Sequence, residues 1–279
     1  MSLPKAMKRQ RITENTPSLM QSALSVLGAE EPAEKIRLTR KTAHAWRRGA
    51  LDLGYIASVP DRPARPARPH LVSPHLVPKR RINRGLAGRT ALLHAIAHIE
   101  LNAIDLAWDL IARFAKPSLP LAFVDDWVGV AAEEAEHFSL IDQRLCELGT
   151  MYGDLPAHDG LWQVALETRH DLAARLAVAP LVLEARGLDV TPTMITKLRA
   201  AGDETSAQIL EVIFQQEIGH VATGLRWFEN VCAQRGWIPQ YTWRNLVRRH
   251  FKGNLKPPFN VDARCQAKFG PDYYARSDP

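Results

Sequence analysis

Three observations predict that these 279 residues form an all-α protein built around a four-helix bundle. First, apolar side chains recur at helical spacing in long segments between about residues 88 and 234. Second, these segments carry a single glutamate, a Glu-x-x-His pair, another single glutamate and another Glu-x-x-His pair. Third, the spacing repeats, because 34 positions separate the first two glutamates and 33 the last two. The residues concerned are Glu100, Glu134, His137, Glu184, Glu217 and His220.

Residues 1–57 are predicted to form an N-terminal helical arm. From about residue 17 two short amphipathic helices are expected, separated by a break at residues 30–32. The arm begins with basic residues, but a polar TENTPS stretch interrupts the apolar part that follows. That interruption excludes a secretory signal peptide.

Residues 58–84 are predicted to form a proline-rich strap or linker. Proline recurs at every third position from Pro60 to Pro69, which favours an extended polyproline II path and excludes a helix. The arginines of this strap could contact phosphates, although a solvated basic surface is the simpler interpretation.

Residues 85–235 are predicted to form the bundle. The first two helices are expected over about 88–115 and 121–148, folded back on each other near Pro117. Because Pro117 is 17 positions from both Glu100 and Glu134, the two glutamates should lie at the same height.

The second hairpin is expected to be less regular. A third helix over about 159–187 should be kinked by Pro180 and capped by Gly187, with a turn at 189–192 and a short helix at 193–201. A fourth helix should begin at a Gly202–Asp203 cap and end near residue 234. Residues 236–279 are predicted to form a basic C-terminal extension with an irregular tail.

Composition restricts the class of protein. A hydrophobic content of 46% with 24% charged residues predicts a soluble globular protein with a packed core. Trp108, Trp127 and Trp227 should lie in that core. The three cysteines lack a C-x-x-C spacing, which indicates a reducing, cytoplasmic compartment. No apolar run is long enough for a membrane span. The net charge of +6 permits an anionic partner without requiring one.

The alternating motif predicts a site for two divalent metal ions. Residues at i and i+3 share a helix face, so each Glu-x-x-His can hold one ion. Four carboxylates in a core would repel one another unless cations neutralised them. Oxygen-rich coordination with one imidazole per ion favours iron, with manganese as the alternative. Glu134 and Glu217 are the expected bridging ligands, and Glu100 and Glu184 the terminal ones.

A third Glu-x-x-His, at Glu167 and His170, has the same spacing. On a straight helix His170 would lie about 21 Å along the axis from Glu184, so a role outside the metal site is favoured. No catalytic residue beyond the metal ligands and no organic-cofactor site is predicted.

The motif spacing resembles that of the ferritin-like superfamily of di-iron carboxylate proteins. The segments LLHAIAHIELNAIDLAWD, AAEEAEHFSLI, YGDLPAHDGLW, VLEARGLDVTP and EIGHVATGLRWF, with LKPPFN in the tail, resemble more specifically a bacterial ferritin-like family known only as a domain of unknown function. The resemblance covers roughly residues 78–270. It implies the fold and the same six metal ligands, but no substrate.

Differences between this sequence and better-known ferritin-like families reduce the number of candidate functions. A radical-generating reductase subunit would place tyrosine where this chain has Ile141, so a stored tyrosyl radical is not expected. A rubrerythrin would need cysteine pairs that are absent from the sequence. Cage-forming ferritins are shorter, which disfavours a storage shell.

Several functions remain open at this point. The first is a di-iron oxidoreductase, of oxygenase or oxidase type, that uses dioxygen or peroxide on an unknown small organic substrate. A variant is a tRNA-modifying di-iron hydroxylase, whose phosphate-binding residues would be Arg62, Arg65, Arg68, Lys79, Arg80, Arg81, Arg244, Arg248, Arg249 and Lys252. The alternatives are a ferroxidase or metal-handling protein and a non-catalytic scaffold stabilised by metal. A homodimer is compatible with the sequence.

Overall fold

The computed structural model of the protein describes residues 18–80, 82, 85–116 and 119–275. Regular structure within these ranges is helical, apart from isolated bridges that join Ser18 to Asp52 and Leu71 to Ala157. The all-α prediction is therefore confirmed. The predictions made for Pro117, Arg81 and the first 17 residues fall outside the described ranges. Among the described residues, no helix combines the length and apolarity that crossing a membrane requires.

Eleven α-helices are described, and the longest connection between them is the strap that separates α2 from α3. They are α1 (Leu19–Leu27), α2 (Pro32–Arg47), α3 (Leu86–Phe114), α4 (Leu121–Glu147), α5 (Gly160–Glu167), α6 (Leu172–Val178), α7 (Ala185–Ala200), α8 (Glu204–Arg235), α9 (Pro239–His250), α10 (Val261–Gln266) and α11 (Pro271–Tyr274). A π-helical turn, Ala179–Glu184, joins α6 directly to α7. A single 3₁₀ turn, Pro74–Leu76, is described in the strap.

Two helix pairs form the centre of the molecule. The helix α3 packs along α4, α7 packs along α8, and α4 contacts α8 between the pairs. Tryptophans 108, 127 and 227 are buried in the shared core, as predicted. The arm helices cover the outside, α1 against α3 and α2 against α4. A buried ion pair of 2.5 Å between Lys35 and Asp105 joins α2 to α3.

The first part of the proline-rich strap contacts the neighbouring helices. The carbonyl of Asp61 accepts a hydrogen bond from the Trp162 indole at 2.9 Å. Arg65 lies 3.3 Å from the buried carboxylate of Asp105 and donates to Asn102 at 2.7 Å. These contacts hold the strap against α3 and α5.

The third predicted helix is broken, which corrects the expectation of one helix over 159–187. It ends at Glu167 and restarts at Leu172. The break is stabilised by the buried Arg175, which donates to the Ala165 carbonyl at 2.7 Å and to the Thr168 hydroxyl at 2.9 Å. The long side chain therefore satisfies the Ala165 carbonyl at the end of α5 and also binds the Thr168 hydroxyl, which itself donates to the Val164 carbonyl at 2.7 Å.

The predicted kink at Pro180 is a π-helical turn. Proline has no N–H to donate, and the Ala185 N–H bonds to the Pro180 carbonyl five residues earlier. The turn packs closely on α8, because a Cβ atom at Gly224 would lie 2.4 Å from the Pro180 side chain. Glycine at 224 thus allows the approach that positions Glu184, the last residue of the turn, near α8.

The predicted helix end at Gly187 and turn at 189–192 are wrong, since α7 runs unbroken from Ala185 to Ala200. Pro192 cannot donate to the carbonyl four residues before it, that of Leu188. The Asn260 side-chain amide supplies this missing donor at 3.1 Å. The helix can therefore continue through both expected breakers.

The prediction of an irregular C-terminal tail is also wrong in part, because α9, α10 and α11 lie within it. A cluster of aromatic side chains explains why the C-terminal extension forms helices. Trp243 is buried, packs edge-on against Phe269 at 5.4 Å and donates to the Ala177 carbonyl at 3.0 Å. These tertiary contacts stabilise the extension, in which α10 and α11, with six and four residues, are too short to be evident from periodicity.

The predicted N-terminal cap of α8 at Asp203 is confirmed. Its contacts predict how much this side chain contributes to stability. The carboxylate accepts from the Ser206 backbone at 3.1 Å, from Arg89 at 2.6 Å and from Arg144 at 2.9 Å. Burial opposes its ionisation, but the hydrogen bonds from Ser206 and Arg89 outweigh burial and lower the pKa of Asp203. Asp203→Ala should reduce the free energy of unfolding by about 2–4 kcal/mol, measured by urea denaturation.

Glu204→Ala is the matched control, because the neighbouring Glu204 forms only exposed ion pairs and should cost less than about 1 kcal/mol. The folded-state pKa of Asp203 is depressed, so its contribution is complete above the ordinary value of 3.8 and is lost as pH falls through the lowered value. Equal stabilities of the two variants at pH 7 would contradict this account.

Candidate metal centre

Three long helices bring carboxylates and an imidazole to one point in the core. Glu100 from α3, Glu134 and His137 from α4, and Glu217 from α8 each offer a ligand atom, and these atoms all lie within 4.8 Å of one another. The same helical registers that predicted equal heights for the glutamates place them here. This buried Glu/Glu/His/Glu group could hold a metal ion.

The second histidine lies against the same carboxylates. Nδ1 of His220 is 3.0 Å from Glu134 Oε1 and 3.6 Å from Glu217 Oε1. Nδ1 of His137 is 3.3 Å from both Glu100 Oε2 and Glu134 Oε2. The two imidazole rings are 5.6 Å apart between centroids. Both Nδ1 atoms therefore face the carboxylates.

Glu184 approaches from the π-helical turn. It borders the same cavity as Glu100, Glu134 and Glu217, and its Oε2 atom is buried. Burial, and next the negative charge of Glu217, raise the pKa of Glu184 well above its ordinary value. The structure thus places four of the six predicted residues within 4.8 Å of one another, His220 against two of them, and Glu184 on the cavity wall beside them.

Two further residues hold the histidines from behind. Nε2 of His220 is 2.7 Å from Glu133 Oε2, and Nε2 of His137 is 2.7 Å from Gln216 Oε1. An ionised carboxylate only accepts hydrogen bonds, so His220 donates through Nε2 and, when neutral, presents a lone pair on Nδ1 to the cluster. The residue before each Glu-x-x-His thus orients the histidine of the opposite helix.

The sequence alone assigns no role to Glu133 or Gln216. The signal that could have found them is positional. Each lies four residues before the histidine of its own motif, hence on the same helix face and one turn away. Such a residue can reach across to the neighbouring helix.

Burial and unpaired polar atoms make this group suited to hold a cation. The side chains of Glu134, His137 and His220 are at most 2% exposed. Among the described residues, four buried atoms of this group have no hydrogen-bond partner: both carboxylate oxygens of Glu134, Oε2 of Glu184 and Nδ1 of His220. His220 Nδ1 lies 3.0 Å from Glu134 Oε1, but the two atoms are not aligned for a hydrogen bond. Buried polar atoms without partners are costly, and metal coordination would satisfy them.

Electrostatics within the group are correspondingly perturbed. Burial raises the pKa of Glu100 well above its ordinary value, and the charge of Glu134 adds to the effect. Burial opposes protonation of His137, but the carboxylates of Glu100 and Glu134, each 3.3 Å from its Nδ1, raise its pKa to about 11. Protons thus balance part of the negative charge, and bound cations would replace them.

A cavity of about 610 Å³ adjoins the cluster. Its inner walls are buried aliphatic side chains, including Leu106, Val182, Leu210 and Ile213. All four predicted glutamate ligands border it. A small organic molecule could therefore lie next to the carboxylate group while being shielded from water.

The third Glu-x-x-His pair lies elsewhere. Glu167 forms an ion pair of 2.8 Å with Lys252, and the His170 ring faces His250 at 6.1 Å. Some arginines considered for RNA binding are likewise engaged within the protein, since Arg62 pairs with Asp159 and Arg65 with Asp105.

Fold and site together define a helical protein with a buried carboxylate and histidine group able to hold metal. The chain belongs to the family described as "Protein of unknown function (DUF455)", which matches residues 28–275. An uncharacterized protein of Haemophilus influenzae is 44% identical over 209 residues, covering 73% of this chain and 72% of that protein. No solved structure matches the chain.

Metal binding should stabilise the protein through Glu134. Adding Fe²⁺ or Mn²⁺ at about 100 times the dissociation constant adds about 2.7 kcal/mol, or roughly 5 °C in Tm for a chain of this size. Glu134→Ala removes the carboxylate that contacts both histidines and should abolish this shift. Anaerobic thermal denaturation with and without metal measures it.

Glu136→Ala provides the control on the same helix, because Glu136 forms an exposed ion pair with Arg40 and faces away from the cluster. That variant should retain the full metal-dependent shift. A wild-type protein whose Tm is the same with metal and with chelator would contradict the assignment.

Proposed function

We propose that this protein is a di-metal carboxylate protein of the ferritin-like superfamily, and that it is a di-iron oxidoreductase which uses dioxygen or peroxide to oxidise a small organic substrate. The observation that carries the proposal is a buried carboxylate and histidine group, with unpaired ligand atoms, bordering an apolar cavity of about 610 Å³. The cluster accounts for metal and the cavity for an organic substrate.

The ferritin-like assignment is supported by the order in which helices supply ligands. α3 and the π-helical turn each supply one glutamate, and α4 and α8 each supply a Glu-x-x-His. Helix bundles that bind two iron or manganese ions use this ligand set from four inward-facing segments.

The contacts also support two ions and a division of roles. The two oxygens of Glu134 face different histidines, Oε2 towards His137 at 3.3 Å and Oε1 towards His220 at 3.0 Å. Glu217 Oε1 lies 3.6 Å from both Nδ1 atoms. These two residues are therefore suited to bridge the ions, whereas Glu100 contacts only the His137 side.

Four carboxylates would balance two divalent cations, with the histidines as neutral ligands. Oxygen-rich coordination with one nitrogen per ion fits iron first and manganese second. Bound iron would supply the electron transfer and oxygen activation that protein side chains cannot.

The protein's own residues have defined tasks in such a reaction. Glu133 and Gln216 fix the orientation of the histidines, and the aliphatic walls exclude water from the reacting centre. Hydroxylation of a C–H bond by hydrogen peroxide yields the alcohol and water. With dioxygen, one oxygen atom enters the product and the other becomes water, so an external reductant must supply two electrons and solvent two protons.

The apolar cavity favours an organic substrate over ferroxidase activity. Iron moving through the protein in bulk would need a polar route, whereas the inner cavity wall is aliphatic. The four glutamates line the same cavity, so an organic molecule bound there would lie beside the proposed ions.

A single-turnover experiment tests the proposal. The protein is loaded anaerobically with two Fe²⁺ per chain and mixed with oxygenated buffer, while oxygen consumption and near-ultraviolet absorbance are followed. We expect oxygen uptake to stop after the two bound ions are oxidised and to resume only with a reductant. Glu134→Ala should lower the rate constant by at least about 100-fold, which corresponds to 2.7 kcal/mol.

Glu136→Ala should react like the wild type. Continued oxidation of many Fe²⁺ per chain without any reductant would instead establish a ferroxidase. Retention of the full oxygen reaction in Glu134→Ala would overturn the assigned site.

A further inference from the structure

The cavity beside the cluster has two chemically distinct ends. The inner end is formed by buried aliphatic side chains and the four glutamates. The outer end carries cationic side chains, namely Arg80 from the strap, Arg186 from α7 and Lys256 from the C-terminal extension. We name these three residues the basic rim.

The basic rim is open to solvent, unlike the inner wall. Arg80 and Lys256 are exposed, and the Arg186 side chain is 41% exposed. By contrast, Leu210 is 1% and Ile213 5% exposed. The cavity therefore passes from dry and apolar near the carboxylates to wet and positive at its mouth.

The positive charge at the mouth is not cancelled locally. The acidic residue there, Asp189, is already held by the buried Arg264 through two bonds of 2.8 Å and by the Asn260 backbone at 3.0 Å. Arg186 lies 3.4 Å from Asp189, a long contact, and donates to the Lys256 carbonyl at 2.7 Å. Among the described residues, the exposed Arg80 has no ion-pair partner.

We infer that the cavity binds an amphipathic organic anion, whose apolar body lies along the aliphatic wall towards the glutamates and whose single anionic group, a carboxylate in the simplest case, is bound by the basic rim. This inference rests on the proposed function in that it names the substrate class for the same centre. A guanidinium gains strongly from a charge-assisted hydrogen bond to a carboxylate.

The orientation follows from charge. The glutamates repel an anion, or are occupied with cations, so the anionic group is favoured at the opposite end. The apolar body fills a space that would otherwise hold poorly bound water. The segment of residues 251–259 forms part of the wall through Phe251, Leu255 and Phe259, which explains what this tail segment contributes to the site.

The experiment compares three probes of equal length, decanoate, decanol and decylamine, by isothermal titration calorimetry on the full-length metal-loaded protein. The dissociation constant of decanoate should be lower than that of decanol by about tenfold or more, and decylamine should bind more weakly than either. Added salt should weaken decanoate binding but not decanol binding. A series from hexanoate to tetradecanoate locates the best chain length.

The decisive variant is Arg80→Gln, since this side chain has no ion-pair partner among the described residues whose loss could disturb folding. It should reduce decanoate affinity about 5- to 20-fold and leave decanol affinity unchanged. Arg248→Gln, which changes an exposed arginine on α9, is the control and should alter neither.

The same titrations on Glu134→Ala separate this inference from the proposed function. Decanoate binding that persists there and still depends on Arg80 supports the anion site even if no metal binds. Equal affinity for decanoate and decanol at every chain length, or no binding at all, overturns the inference while leaving the oxygen reaction intact. Decanoate binding that requires metal and is indifferent to Arg80→Gln also overturns it, because the carboxylate would then be a metal ligand.

Discussion

Mutual repulsion among carboxylates held in an apolar core is the constraint on which this structure depends. Glu100, Glu134, Glu184 and Glu217 meet where water cannot screen them, and burial alone would keep most of them protonated. In the described structure, contacts with histidine lower the pKa of Glu134 despite burial. Such a group is stable only with compensating positive charge, and two divalent cations would supply that charge fully.

The backbone is arranged to satisfy this constraint. Glu184 reaches the cluster from a π-helical turn, and glycine at 224 allows that turn to approach α8 closely. Glu133 and Gln216 fix the histidines across the α4–α8 contact. The two supports differ in charge, since one is a carboxylate and the other an amide. The proposed pair of ions would therefore have unequal environments, because a carboxylate partner makes an imidazole a stronger ligand.

Sequence predicted much of the site because helical periodicity is local. The long helical segments of α3, α4 and α8 were placed within a few residues of their observed ends, and the nearly equal spacing of the motifs indicated that their side chains would meet. The region around α7 was predicted wrongly, because glycine and proline, here Gly187 and Pro192, are residue types that commonly end a helix. Only a distant partner, Asn260, makes the unbroken helix possible, and no local pattern reveals it. The cavity and its basic rim likewise depend on segments distant in sequence.

Anomalous diffraction from a crystal of protein purified without chelator and loaded with iron tests the central claim most directly. Data at the iron edge should show two peaks per chain, both within coordinating distance of Glu134, one beside Nδ1 of His137 and the other beside Nδ1 of His220. A map that shows no iron at the six predicted ligands, although metal was supplied in excess, would contradict the account. These ligands are Glu100, Glu134, His137, Glu184, Glu217 and His220.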